Sequence, residues 1–249
     1  MEFISVFDVF KIGVGPSSSH TLGPWRAAQS FINNIKPVII SNEVSNITAH
    51  LYGSLSLTGK GHATDLAIMM GLGNYDPVTV DTTAIPSIIN QINQKKLLKI
   101  HSITIHFDPE KDIRFEKEFL PYHANGLIFS MQKKNGDVYS DTYSSVGGGF
   151  IIKEGEITED NNTLAAHPFP IQLSKELLNY CNKEKKSISE IVMANELLDH
   201  SESEIRSGLM NIWDVMLESM YLGCHSFGYL PGSLRVKRRA GEVTKTFLD

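Results

Sequence analysis

Apolar residues in this chain follow two rhythms up to about residue 160 and a single one beyond it. In the first stretch, Ala27, Phe31 and Ile35 recur at fourfold spacing and predict a helix over 23–35. Residues 63–72 and 83–93 also read as helices. By contrast, 47–52 and 99–107 concentrate β-favouring residues and predict strands. A hairpin is expected over 126–151, because Asn135-Gly136 sits between two β-prone runs. After residue 160 only helical periodicity remains, over 171–182, 188–199 and 203–222. Ser187 with Glu190, and Ser201 with Glu204, have the spacing of capping boxes. Ile205, Leu209, Ile212, Trp213, Met216 and Met220 form an apolar stripe wide enough to need a covering surface. The expectation is an α+β chain. A mixed-sheet α/β domain occupies 1–160, and a linker with the first helices of an all-helical domain occupies 161–249. The polar, proline-bearing run at 159–170 is the expected crossing loop.

Charge and cysteine content narrow the function classes. With 23 Lys+Arg against 28 Asp+Glu, the net charge of −5 disfavours a nucleic-acid partner. Arg235, Lys237, Arg238 and Arg239 form the one basic cluster, read as a solvated segment. The two cysteines, Cys181 and Cys224, build neither a disulfide framework nor a four-thiolate metal site. No stretch resembles a signal peptide or supplies eighteen consecutive apolar residues. A soluble, cytoplasmic protein with no membrane partner is expected.

Four segments carry chemistry. Gly13 to Thr21 places Ser17, Ser18, Ser19, His20 and Thr21 ahead of a helix, where unpaired amides suit a carboxylate or phosphate. A capped loop is the plainer alternative. The dinucleotide fingerprint fails, since Gly13 and Gly15 are followed by Ser18. Tyr52 to His62 invites comparison with a P-loop, but five residues separate Gly53 from Gly59, and Gly61 replaces the magnesium-binding hydroxyl. Lys60 and His62 remain at the mouth of a helix, and a neutral histidine there is a natural proton acceptor. His123 and Asn125 occupy a polar loop before the hairpin, able to reach a substrate or simply to build the turn. Gly147, Gly148 and Gly149 end a strand, where a bend is the simpler account. The other six histidines read as structural or solvent-facing.

Together these segments resemble the iron–sulfur L-serine dehydratases of bacteria. The resemblance runs from Ile4-Ser5-Val6-Phe7-Asp8 through GPSSSHTLGP, LYGSLSLTGKGHATDLAIMMGL, HANG and YSSVGGGF. It continues to Met193-x-Asn195-Glu196 and the stretch from Leu230 to Ala240. It implies a first domain similar to the allosteric substrate-binding domain of some phosphoglycerate dehydrogenases. A helical domain would follow, holding a [4Fe–4S] cluster on three cysteines. The implied chemistry is β-elimination of L-serine to pyruvate and ammonia, in amino-acid catabolism. By position, His62 is the candidate base, with Lys60 and Gly61 beside it. Ser17, Ser18, Ser19, His20 and Thr21 would hold the carboxylate, while His123 and Asn125 close over it. His62, His20 and His123 are the candidate catalytic residues. Cys181 and Cys224 do not fall where that family's cluster ligands are expected, so no metal ligand is assigned in this chain. The expectation is the N-terminal, beta-chain-like portion of such an enzyme, with the iron–sulfur helical domain as partner and a homodimer as the assembly. A non-catalytic module that senses serine is the alternative.

Overall fold

The structure, a computed structural model, describes residues 3–156, 167–230 and 235–248. The crossing loop expected at 159–170 lies outside these up to residue 166, as does the 231–234 part of the C-terminal resemblance. In chain order the helices are α1 (Val6–Val9), α2 (Gly23–Asn34), α3 (Lys36–Ile40), α4 (Ser54–Thr58), α5 (Thr64–Leu72) and α6 (Ile85–Lys95). There follow α7 (Pro109–Asp112), α8 (Ser174–Glu184), α9 (Ile188–Glu196), α10 (Glu202–His225) and α11 (Ala240–Leu248). The strands are β1 (Val44–Leu51), β2 (Leu97–Ile100), β3 (Ile103–His106), β4 (Ile113–Phe115), β5 (Gly126–Lys133), β6 (Val138–Gly147) and β7 (Phe150–Lys153). This is an α+β chain, with a mixed sheet first and helices after it. It divides into two compact units: Ile12–Glu156 with Gly228–Arg238, and Met1–Lys11 with Ile157–Phe227 and Arg239–Asp249.

The sheet unit is built on the order β4-β1-β5-β6-β7. β1 pairs β4 in parallel, and the remaining neighbours are antiparallel. Along β1, Ile47, Ala49 and Leu51 are buried at every second residue, the period of a strand covered on one face, and Val44 joins them across the register shift at Val44–Asn46. α2 lays Ala27, Ala28, Phe31, Ile32 and Ile35 into the same core, with Phe31 stacked 5.4 Å from Phe129 of β5. Phe31, Ile32 and Ile35 each contribute about 1.5–3 kcal/mol by leaving water. The Asn135-Gly136 hairpin forms as its chemistry requires, with Gly136 at φ 97° between β5 and β6.

One strand differs from expectation. Residues 99–107 do not run straight but fold at His101-Ser102 into the β2–β3 hairpin, with Ile100 opposite Ile103. His101 takes φ 49°, and Leu98, Ile100 and Ile105 are buried as the return. Burial of three apolar side chains outweighs the cost of a left-handed histidine, about 1–2 kcal/mol.

The helical unit is organised by buried polar groups. Glu196, at the end of α9, is 1% exposed, and its carboxylate accepts from the Ser5 hydroxyl (2.7 Å) and the Val6 amide (2.8 Å). Asn195 beside it grips the Phe169 backbone at both N–H and C=O. Ser187 and Ser201 cap α9 and α10, each in a reciprocal box with its glutamate. On α10 only Ile205 is buried, while Met210, Trp213, Met216, Leu217, Met220 and Tyr221 remain exposed. Among the described residues no helix is long and apolar enough to cross a membrane.

Candidate functional site

Four sequence-distant segments of the sheet unit meet at a pair of histidines. Ser18–Leu22 forms a wide, π-type turn that runs directly into α2, so the serines belong to the helix start and not to a loop before it. Ser17 caps it, its hydroxyl accepting the His20 amide at 3.1 Å. The capping alternative therefore holds for Ser17. The amides of Ser18 and Ser19 have no acceptor among the described residues, and Ser18 is exposed. Those amides and the helix's positive end offer a place for an anion.

The second segment enters through Gly53, at φ 56° and ψ −127°. A Cβ there would stand 2.3 Å from the Ala124 carbonyl, so only glycine allows the approach. The following stretch is not a simple turn but α4 and then a 3-10 turn, Gly59–His62, that ends at Ala63 in the left-handed region (φ 55°). This places His62 at the entrance to α5.

The histidines sit with ring centroids 4.9 Å apart. His62 Nδ1 lies 3.0 Å from the Thr58 carbonyl, which can only accept. Nδ1 therefore carries the proton in the neutral ring, and the Nε2 lone pair is left over. His20 is flanked on both nitrogens, by the Ser19 hydroxyl at Nδ1 (2.9 Å) and the Ser54 hydroxyl at Nε2 (3.0 Å). Burial first, and then the neighbouring His62, pull its pKa below the ordinary 6.5, against a smaller opposing effect of Ser54. His20 is thus mostly neutral at pH 7.

Cross-links tie the segments together. Thr21 donates to the His62 carbonyl (2.9 Å), and Thr64 donates to the His20 carbonyl (2.6 Å). Thr21 is 1% exposed, so its hydroxyl is committed to holding the two turns in register. Ser145 is fully buried and donates to the Ser19 carbonyl at 2.7 Å. Its own backbone exchanges hydrogen bonds with Asn125, whose Nδ2 donates to the Ser145 carbonyl at 3.1 Å. In the third segment the Asn125 amide donates to His123 Nδ1 (3.0 Å), leaving a proton on Nε2 of the neutral ring.

Ser17, Ser19, His20, Thr21, His62 and Asn125 are thus joined in one network with His123 on its rim. Lys60 is exposed, its ammonium 5.3 Å from the centre of the Phe115 ring, and no hydrogen bond joins it to the histidines. Gly61 lies between it and His62. The spacing of single segments did not single out Ser54 and Ser145. Their only signal was the serine-bearing runs GSLSLT and YSSVGGG.

Among the described residues, no group of three or more His, Cys, Asp or Glu side chains could hold a metal ion. Cys181 and Cys224 stand on α8 and α10 as free thiols. These residues do not fit an iron–sulfur cluster.

A family described as the serine dehydratase beta chain matches residues 5–156. Over 250 residues the chain is 41% identical to L-serine dehydratase 1 of Escherichia coli, covering 99% of this chain and 55% of that protein. L-serine dehydratase 2 of the same organism is 39% identical over 248 residues, 99% of this chain and 54% of the relative. L-serine dehydratase of Haemophilus influenzae is 37% identical over 243 residues, 96% and 53% respectively. The chain spans about half the length of the curated relatives it matches.

Proposed function

The chain belongs to the serine dehydratase beta chain family, and on that premise we propose that it supplies the substrate-binding and proton-transfer side of an L-serine dehydratase. The observation that carries this reading is the close pairing of His20 and His62, brought from distant segments and tied through Ser19 to Ser145 and Asn125. The substrate carboxylate is held at the start of the Ser18–Leu22 turn by the free amides of Ser18 and Ser19 and the serine hydroxyls. His62, with Nδ1–H fixed on Thr58, accepts the α-proton at Nε2. His20, kept neutral, stands beside it, so a proton gained by His62 meets no fixed positive charge. His123 and Asn125 close the rim, and Nε2–H of His123 is a donor for the substrate. Lys60 joins only by leaving Phe115, and Gly61 keeps space beside His62. Thr21 acts by holding the His62 turn in place.

The resemblance implies a [4Fe–4S] cluster, which the described residues of this chain do not fit; in the complete enzyme it would be held by the part of the relatives that this chain does not span and would supply Lewis-acid chemistry there. The partner is then the iron–sulfur-bearing helical region that completes the relatives' length, in the same polypeptide or as a second subunit. The assembly is a cytoplasmic homodimer that breaks down L-serine.

The test is anaerobic formation of pyruvate and ammonia from L-serine by the complete enzyme. His62→Ala should lower kcat at least about 100-fold, the scale of a lost general base. Near-normal turnover would overturn the base assignment. Saturable serine binding by this chain with no turnover in the complete assembly would instead favour a serine-sensing module.

A further inference from the structure

We propose that α4 orients both histidines, with Ser54 as the positioning residue of His20. The inference rests on the functional reading above. One helix of five residues reaches each ring: the Ser54 hydroxyl at its start meets His20 Nε2 at 3.0 Å, and the Thr58 carbonyl at its end meets His62 Nδ1 at 3.0 Å. Thr58 also donates back to the Ser54 carbonyl (2.9 Å), which closes the helix on itself.

Ser54 is the anchor because of what holds each end. Ser19, the other partner of the His20 ring, is its chain neighbour and moves with it. Among the described residues, Ser54 is the one hydrogen-bond partner of that ring from another segment. The backbone at Gly53-Ser54 is gripped twice: the Gly53 amide donates to the Glu118 carbonyl (2.9 Å), and the Ser54 amide to the Ala124 carbonyl (2.8 Å). The close approach at Gly53 makes that grip possible. The loop that carries His123 and Asn125 therefore sets the position of Ser54, and Ser54 sets His20.

A hydroxyl rotates to donate or accept, so with one at each nitrogen the neutral ring is satisfied in either tautomer. Without Ser54, only the nitrogen facing Ser19 keeps a partner. The tautomer balance should then shift toward whichever form Ser19 and water favour, and the ring should lose its fixed orientation toward His62.

Imidazole nitrogen spectra of the full chain, labelled at histidine, read this directly. Ser54→Ala should change the His20 tautomer ratio at least about threefold, and Ser54→Thr should restore it. An unchanged ratio in Ser54→Ala, or a threonine variant no closer to wild type than alanine, overturns the proposal. Should the alanine variant not fold, Ser54→Thr against Ser54→Val makes the same comparison, since the two side chains share a shape and differ by a hydroxyl exchanged for a methyl. In the complete enzyme, Ser54→Ala should lower kcat for L-serine about tenfold and move the acid limb of its pH profile, with KM within about twofold. Unchanged kcat and profile overturn it. If the wild-type enzyme forms no pyruvate, the functional reading fails, while the nitrogen spectra still decide the role of Ser54.

Discussion

Asp141 of β6 shows how one residue of the sheet unit ties its stability to pH. Its carboxylate accepts from Asn34 Nδ2 (3.0 Å) and the Tyr139 hydroxyl (2.9 Å), with the Lys153 ammonium 3.0 Å away. Burial raises its pKa, yet the hydrogen bonds from Asn34, Lys153 and Tyr139 outweigh that and leave it below the ordinary 3.8. A folded-state pKa below the unfolded one means the unfolded chain binds more protons as pH falls through 3.8. The stabilisation is complete above that value and is lost as pH falls toward the folded pKa. Asp141→Asn should cost about 2 kcal/mol at pH 7, since it removes the charge that pairs Lys153 and leaves donors facing a donor. As pH falls through 3.8 toward the folded pKa, the gap between wild type and variant should narrow. Urea unfolding at a series of pH values checks this, and a gap that does not narrow below pH 3.8 would contradict it. Nothing in the local sequence signals the cluster, because Asn34, Asp141 and Lys153 meet only once α2, β6 and β7 are packed.

Elements with strong internal periodicity were legible, and those set by tertiary contacts were not. α2 follows from its apolar spacing, and the β5–β6 hairpin from Asn135-Gly136. α5 is apolar nearly all round, the mark of a helix buried on every side. The turn at Ser18–Leu22 has an all-polar start, and its shape depends on Thr64 and Ser145 holding the carbonyls of His20 and Ser19. β4 has three residues and is defined by its parallel pairing with β1 alone. At the site, the serine and histidine segments could be singled out by their residue types. Which of their hydroxyls meet which ring nitrogen depends on Gly53 and the loop at 118–125. α1 is a further case: four residues are too few to be stable alone. Ser5 and Asp8 box its first turn, and Glu196 anchors it. Glu196→Ala should leave two half-buried donors, the Ser5 hydroxyl and the Val6 amide, without their acceptor and cost about 1–3 kcal/mol. Amide exchange should show residues 5–10 losing protection, with β1 and β5 unaffected. Loss of protection spread evenly through both units would contradict this local role.

At the scale of the whole molecule, the two units contrast in how much of their apolar surface each buries. The sheet unit buries a continuous core from α2 to β6. α10, with 24 residues, buries one apolar side chain and exposes a run from Met210 to Leu222. A helix apolar on most of its circumference is stable in water only when something covers it. The share of the relatives' length that this chain does not span is close to half, ample for a covering helical region. Trp213 reports on that cover, being 47% exposed, whereas Trp25 is fully buried in the sheet unit. On adding the complementary region, the tryptophan emission should shift to the blue, and Trp213→Phe should remove most of the shift while Trp25 emission stays fixed. Trp213→Glu should weaken the association at least about tenfold, the consequence of placing a charge against an apolar surface. An unshifted emission accompanied by full assembly would mean that the cover lies elsewhere. A shift that depends on the concentration of this chain alone would identify a second copy as the covering surface.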